Sequence, residues 1–238
     1  MRKTIFASIA VLLLFAGCDT ISKMNLPTGG AVILSESDIV SGLKEALNVG
    51  TNNAVGLLGK ADGFLKNPLF KIPFPEDAKR AETKLRELGM NDLVDNFITT
   101  MNHGAENAVS KAAPIFLNAI TSMTFEDAKN ILKGADNAAT EYFKAKTTTA
   151  LFGLFKPEIQ KALDAVNATK YWTDITSTYN KIPFVTKIET DLAKYVTDKA
   201  LSALFTQIAS EEKKIRTDPV ARVNDILKKV FNPNAVIQ

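Results

Sequence analysis

The chain has 238 residues, 46% of them hydrophobic and 23% charged, and it contains one cysteine and one histidine. This is the composition of a folded globular protein, and it excludes an intrinsically disordered chain. The formal charge is +3, but 27 of the 29 basic residues remain against 26 acidic ones once Arg2 and Lys3 are removed, so a nucleic-acid partner is excluded.

Residues 1–17 have the three parts of a bacterial secretion signal. Two basic residues follow the initiator methionine, Ile5–Phe15 form an apolar core interrupted by one serine, and two small residues precede Cys18. An apolar core of this length is about half of what a membrane-spanning helix needs. The pattern therefore predicts a cleaved signal rather than a membrane span.

Residues 15–18, Phe-Ala-Gly-Cys, resemble the lipobox of bacterial lipoproteins. We expect Cys18 to become the N-terminus and to carry diacylglycerol and N-acyl groups, with chains such as palmitate, and we expect no other cofactor. Membrane lipid is then a partner through this anchor, and the domain lies in the cell envelope, in the periplasm at the inner or outer membrane. The alternative is an ordinary secretory signal with an incidental cysteine.

The remaining chain is predicted to be a single domain on a tether. Residues 18–36 contain proline, glycine and small polar residues without a hydrophobic period, which favours a lipidated N-terminus followed by a flexible tether. Residues 37–232 form one helical domain, and residues 233–238 form a C-terminal tail.

The first predicted helix begins after Ser35 or Ser37, either of which can cap it. Gly50 and Gly56 inside its apolar stripe indicate close packing or a break. In Phe70–Pro75, apolar residues alternate with polar residues and prolines, which indicates a short extended segment. The next helix begins in an acidic turn and ends at Gly89, which is suited to a left-handed cap.

From Asn91 the sequence is dominated by helical periodicity. Pro114 should kink a long helix, Thr124 should cap the following one, and Pro157 and Pro219 should open two more. Strand patterns are scarce. The fold class is therefore mainly all-α, a multi-helix bundle with at most one short β-hairpin near residues 68–76.

The only histidine belongs to a possible polar cluster on one helix. His103 and Glu106 are three residues apart, with Asn102 and Asn107 beside them, so they share a helical face. The cluster could orient a ligand or act as an acid–base pair; the alternative is a hydrogen-bonded structural histidine. One histidine and no free cysteine exclude a zinc site, and no metal site is predicted.

A possible charged cluster comprises Glu141, Glu212, Arg216 and Asp218. Glu212 and Arg216 form a favourable i,i+4 pair, and Asp218 can cap the helix that Pro219 begins. The cluster is either a partner-binding face or a helix corner held by ion pairs.

Fourteen phenylalanines accompany one tryptophan and four tyrosines. Residues 151–155, Leu-Phe-Gly-Leu-Phe, carry more large apolar groups than one helix face buries. Such an excess could line a lipid cavity, close an interface, contact a bilayer or simply fill the core.

Several segments resemble an uncharacterised family of bacterial envelope lipoproteins known only as a domain of unknown function. The resemblance covers about residues 37–232, and it depends on these segments: Gly42–Leu47, Lys71–Pro75, Met101–Val109, Asp127–Leu132, Ala139–Phe143 and Glu211–Phe231, with Ile215–Pro219 the most specific part of the last. His103 stands where the family tends to have arginine, and Ser202 where it tends to have aspartate. The resemblance implies a fold and a compartment, and it brings no established activity.

Two functions are compatible with these patterns. The first is a membrane-anchored, non-catalytic binding or scaffolding module for a lipid, an envelope polymer or a protein partner; a purely structural envelope protein cannot be separated from it by sequence. The second is a carboxylate-dependent envelope hydrolase or transferase that uses Glu106 or Glu141, with Arg216 binding an anion. The second requires these three side chains to converge in one cleft.

Overall fold

The computed structural model describes residues 31–181, 183–184 and 187–237. The elements follow in this order: strand β1 (Val32–Leu34), helices α1 (Glu36–Leu58), α2 (Lys79–Glu87), α3 (Asn91–Ser110), α4 (Ala113–Thr121), α5 (Phe125–Lys133), α6 (Ala138–Asp164), α7 (Ala168–Tyr179), α8 (Leu192–Thr217) and α9 (Asp225–Val230), and strand β2 (Ala235–Ile237). Short 3-10 turns at Glu76–Ala78 and Pro219–Ala221 lead towards α2 and α9. The mainly all-α bundle is confirmed.

Local sequence sets the ends of several helices. The Ser35 hydroxyl accepts the N–H of Asp38 at 3.1 Å, and the Asp38 carboxylate accepts the N–H of Ser35 at 3.0 Å, which is a capping box. Thr124 and Asp127 form the same box at the start of α5. Gly89 follows α2 with φ +80°, a conformation that favours glycine. These predicted caps are therefore confirmed.

The prolines affect the helices in different ways. Pro114 lies in the first turn of α4, where α3 has already ended, so the predicted kink is a full break. The predicted helix start at Pro157 is wrong, because Pro157 lies inside the continuous helix α6. An internal proline costs about 3 kcal/mol. We attribute the continuity of α6 to its neighbours Phe155 and Ile159, which are completely buried in the core. Pro219 opens a 3-10 turn, and α9 begins only after it.

Helix α6 is central to the bundle. It packs against α8 and α3, and α1 covers α8, α4 and α5. Phe116 of α4 stacks edge-on against Phe143 of α6 and Phe205 of α8, with ring centroids 5.1 and 6.5 Å apart. Burying each such side chain stabilises the fold by roughly 1.5–3 kcal/mol. Within the described ranges, no helix has the length and hydropathy required to cross a bilayer.

The two strands lie at the ends of the domain. β1 pairs with β2 in parallel, with Val32 opposite Ala235 and Leu34 opposite Ile237. The fold therefore extends beyond the predicted domain limits, into the end of the predicted tether and into the predicted tail. Residues 68–76 form turns and extended chain, so the hairpin that was allowed there is not formed. Strands this short carry no sequence signal apart from their apolar residues, and only the pairing of distant ends identifies them.

The long helices α6 and α8 are antiparallel, and their termini define two ends of the bundle. Thr140, at the start of α6, contacts Glu212 near the end of α8, whereas Lys156 of α6 contacts Asp191, which caps the start of α8. β1 and α9 lie at the first of these ends, since both pack against the start of α1. The second end leads from α6 into α7. The 27 residues of α6 separate the ends by about 40 Å.

Candidate functional site

Glu106 lies buried on α3 beneath the segment that follows α1. Its Oε1 accepts the N–H groups of Phe64 and Leu65 at 2.9 and 3.0 Å, and its Oε2 accepts the N–H of Asp62 at 3.2 Å. Three backbone donors on one carboxylate hold the turn at residues 62–65 against the helix. The position of Glu106 is therefore explained by a structural role.

Asn102 binds the same segment further along the chain. Its Oδ1 accepts the N–H of Ile72 at 2.8 Å, and its Nδ2 donates to the carbonyl of Ile72 at 2.9 Å. The side chain of His103 is 53% exposed, its Nε2 lies 4.0 Å from a carboxylate oxygen of Glu106, and Asn107 is exposed. The predicted polar cluster is thus brought together on α3, but its two buried members serve the backbone.

Glu212 and Arg216 form a closed network. Glu212 accepts the N–H groups of Ala139 and Thr140, both at 2.9 Å, and thereby caps α6 from another helix. Arg216 Nη2 donates to Glu212 at 2.9 Å and to the carbonyl of Ile131 at 2.8 Å. Both side chains are largely buried. This part of the predicted charged cluster therefore joins α8 to α5 and α6.

The other two members of the charged cluster are exposed. Glu141 accepts hydrogen bonds from Asn137, the residue before α6, and from Lys144 of α6, and Asp218 accepts the N–H of Val220 in the 3-10 turn. These hydrogen bonds stabilise the first turn of α6 and the 3-10 turn, respectively.

The three groups that a carboxylate-dependent hydrolase would need lie in separate places. Glu106 is covered by the turn at residues 62–65, Arg216 borders a small apolar depression beside α1, and Glu141 borders a different groove between α6 and α8. They do not converge. In the described part of the chain, no three His, Cys, Asp or Glu side chains are placed to hold a metal ion.

The strongest candidate site is a cleft of about 680 Å³ between α2, α3 and the start of α7. Its volume is typical of sites for small molecules, which occupy roughly 300–1,000 Å³. We call it the aromatic cleft. It is lined by the following residues: Phe74, Leu85, Met90, Leu93, Val94, Asn96, Phe97, Thr99, Thr100, Val166, Ala168, Tyr171 and Trp172.

Three aromatic rings form one wall of the aromatic cleft. The centroid of Phe74 lies 5.0 Å from that of Phe97 and 5.9 Å from that of Trp172, and the last two are 6.0 Å apart. The indole N–H of Trp172 donates to the carbonyl of Glu189 at 2.9 Å, which fixes the ring. The wall is therefore held in place before any ligand binds.

The segment that carries Phe74 is positioned by polar contacts from two sides. Asn102 holds the backbone of Ile72, as described above, and the hydroxyl of Tyr195 donates to the carbonyl of Pro73 at 3.3 Å. Burial raises the pKa of Tyr195 to about 12, with a smaller contribution from nearby carboxylates. The hydroxyl thus stays protonated and able to donate. Asn102, the buried asparagine of the predicted polar cluster, therefore helps to position Phe74 in the wall of the aromatic cleft by holding the backbone of Ile72.

The lining of the aromatic cleft is mainly apolar and carries no charged side chain. The residues that line it include no Asp, Glu, Lys, Arg or His. Asn96, Thr99 and Thr100 add uncharged polar groups from α3, and Tyr171 adds one from α7. The surface of this cleft matches an uncharged, largely hydrocarbon ligand, because a buried charge without a partner is strongly disfavoured.

The apolar segment for which the sequence allows a cavity or an interface is residues 151–155. Leu151 and Phe155 of that segment are completely buried, and Phe152 and Leu154 pack against the same core, so core filling explains residues 151–155. The aromatic cleft was not predicted. Its one distinctive sequence feature is the solitary tryptophan, and which distant aromatic residues surround it depends on the tertiary fold.

A family model described as a protein of unknown function (DUF4197) matches residues 33–232. Comparisons with curated proteins and with solved structures find no match for this chain.

Proposed function

The chain belongs to the DUF4197 family, whose function is unknown, and we propose that it is a lipid-anchored protein of the bacterial envelope that binds a hydrocarbon chain. The ligand is the acyl chain of a lipid with an uncharged polar end. The aromatic cleft receives the chain, and the protein carries out no catalysis.

The uncharged, preformed lining of the aromatic cleft is the observation that carries this proposal. Phe74, Phe97 and Trp172 offer fixed ring faces, and the threonines on α3 offer hydroxyl groups to a polar end. A fixed apolar site gains the hydrophobic free energy of the ligand without first ordering its own side chains. A charged ligand would lose its hydration here and gain no ionic partner.

The anchor is supported by the sequence of the first 18 residues, which lie outside the described part of the chain. Acylation at Cys18 would hold the domain within reach of membrane lipid, where hydrocarbon chains are concentrated. A binding module fits this setting better than a carboxylate-dependent hydrolase, because Glu106 and Arg216 are bound to structural partners.

The neutral fluorophore N-phenyl-1-naphthylamine provides a direct test. We expect the chain from residue 19 onward, which contains every described element, to bind it with saturation and with energy transfer from Trp172, the only tryptophan. Thr100→Phe, which fills the aromatic cleft, should weaken binding at least about tenfold, because the ligand loses apolar contact area.

Thr148→Phe is the matched control. Thr148 and Thr100 each donate to the carbonyl four residues earlier in a helix, but Thr148 is exposed on α6, away from the cleft. This variant should bind the fluorophore within about twofold of the parent chain. Absence of saturable binding, or equal weakening by the two substitutions, would reject the aromatic cleft as the site.

A further inference from the structure

Large apolar side chains are exposed where α2 turns into α3, beside the mouth of the aromatic cleft. Leu88 is 67% exposed, Met90 43% and Leu93 49%. Met90 and Leu93 also line the cleft, whereas Leu88 is not among its lining residues. We call residues 88–93 the apolar corner. It joins an exposed hydrophobic surface directly to the proposed ligand site.

The apolar corner is held in a fixed shape. Gly89 makes the turn with φ +80°, and its neighbour Met90 donates its N–H to the carbonyl of Leu85 at 3.0 Å. Arg86 joins the two helices, since it contacts both Glu82 of α2 and Asp95 of α3, at 3.1 and 2.8 Å. These contacts fix the backbone of the corner, so Leu88, Met90 and Leu93 are held in exposed positions.

The basic side chains nearest to the apolar corner are neutralised by local pairs, whereas Asp92, an exposed residue inside the corner, has no ion-pair partner among the described residues. Lys84 contacts Glu87 at 3.0 Å, and Arg86 is shared between its two acidic partners. A surface that binds anionic lipid by charge would instead present unpaired basic side chains. The corner therefore fits an uncharged or zwitterionic lipid surface, where apolar contact supplies the affinity.

The predicted anchor leaves enough chain for the apolar corner to reach lipid. The cleft and β1 lie at opposite ends of the bundle, about 40 Å apart by the length of α6. Fourteen residue steps separate Cys18 from Val32 of β1, which span at most about 50 Å. The domain can thus place its cleft end on the membrane that holds its anchor.

From these contacts we infer that the apolar corner inserts into the surface of a lipid bilayer and sets the mouth of the aromatic cleft against the hydrocarbon. This inference rests on the proposed function, because the inference names the bilayer as the source of the acyl chain that the aromatic cleft is proposed to bind. A chain leaving the bilayer would enter the cleft past Met90 and Leu93 without crossing water.

Flotation with phosphatidylcholine vesicles tests the inference, again with the chain from residue 19 onward. The parent chain should float with the vesicles, and raising NaCl from 0.1 to 0.5 M should change binding by less than about twofold. Leu88→Asp should reduce binding at least about tenfold, because a leucine leaves the bilayer and a charge replaces it. Val220→Asp is the control: Val220 is 86% exposed in a distant 3-10 turn, and its change should have little effect.

The two proposals fail in different ways. If the chain binds N-phenyl-1-naphthylamine but does not float with phosphatidylcholine vesicles, membrane docking is wrong and the cleft function stands. Docking is also wrong if binding requires anionic lipid and disappears in salt, or if Leu88→Asp and Val220→Asp reduce it equally. If vesicles bind but the fluorophore does not, the cleft function is wrong.

Discussion

At the scale of single residues, the buried polar groups of α3 form the support of the site. Glu106 collects three backbone N–H groups and Asn102 pairs with both backbone groups of Ile72. The first holds the turn at residues 62–65, and the second holds the segment that carries Phe74. A polar cluster of this kind resembles a catalytic site in sequence, because catalysis and backbone capping use the same residue types.

Glu106→Gln should therefore lower the free energy of unfolding. Glutamine keeps one acceptor oxygen and places an amide N–H₂ where a backbone donor needs an acceptor, so the loss should be about 1–3 kcal/mol. Urea denaturation of the chain from residue 19 onward measures it. His103→Ala, at an exposed neighbouring position, should stay within about 0.5 kcal/mol. Equal stability of Glu106→Gln and the parent chain would show that these bonds do not hold the turn.

At the scale of elements, the glycines of α1 have opposite surroundings. A Cβ at Gly42 would lie 2.4 Å from Cγ2 of Val230, which is buried against it on α9. A Cβ at Gly56 would have no neighbour within 4 Å. Gly50 has ordinary contact distance to Glu211. The sequence predicts close packing or a break at Gly50 and Gly56, but α1 is continuous through both and Gly56 has open space beside it, so that prediction is wrong for Gly56. The tightest approach is at Gly42, which was not predicted.

Gly42→Ala and Gly56→Ala should change stability in opposite directions. The first forces α9 away from α1 and should lower the free energy of unfolding by about 1–3 kcal/mol. The second adds a better helix former in open space and should raise it by about 0.5–1 kcal/mol. Paired urea denaturation curves compare them. Stabilisation by both substitutions would mean that α9 does not pack as closely as the structure has it.

The elements also show how far the sequence predicts the fold. Caps at Ser35, Thr124 and Gly89 were predictable because each depends on residues within a few positions. The path of α6 through Pro157 was not, since burial contributed by other helices offsets the local cost. The aromatic cleft could not be predicted either, because Phe74, Phe97 and Trp172 come from three separate segments that only tertiary packing brings together.

At the scale of the whole molecule, the predicted anchor and the cleft are separated. β1, which lies near the end of the predicted tether, is at one end of the bundle, and the aromatic cleft is at the other. Anchoring and ligand binding should therefore be independent properties. The sequence predicts the first from a short local motif, whereas the second becomes visible only in the folded chain.

Cys18→Ser tests the anchor by itself. Intact-mass analysis of the parent protein from bacterial membranes should show an N-terminus at Cys18 that carries diacylglycerol and an N-acyl group. The variant should lack this mass. A parent protein without acyl groups, or a variant with the same added mass, would contradict acylation at Cys18.

The most direct measurement of the central claim is quenching of Trp172 fluorescence by methyl 9,10-dibromostearate, an uncharged acyl chain with bromine near its middle. Bromine quenches only an indole close to it, so the measurement reports both binding and position. Binding in the aromatic cleft predicts saturable quenching at one ligand per chain, at least about tenfold weaker in Thr100→Phe and unchanged in Thr148→Phe. Unquenched Trp172 at saturating ligand, or identical quenching in the two variants, would contradict it.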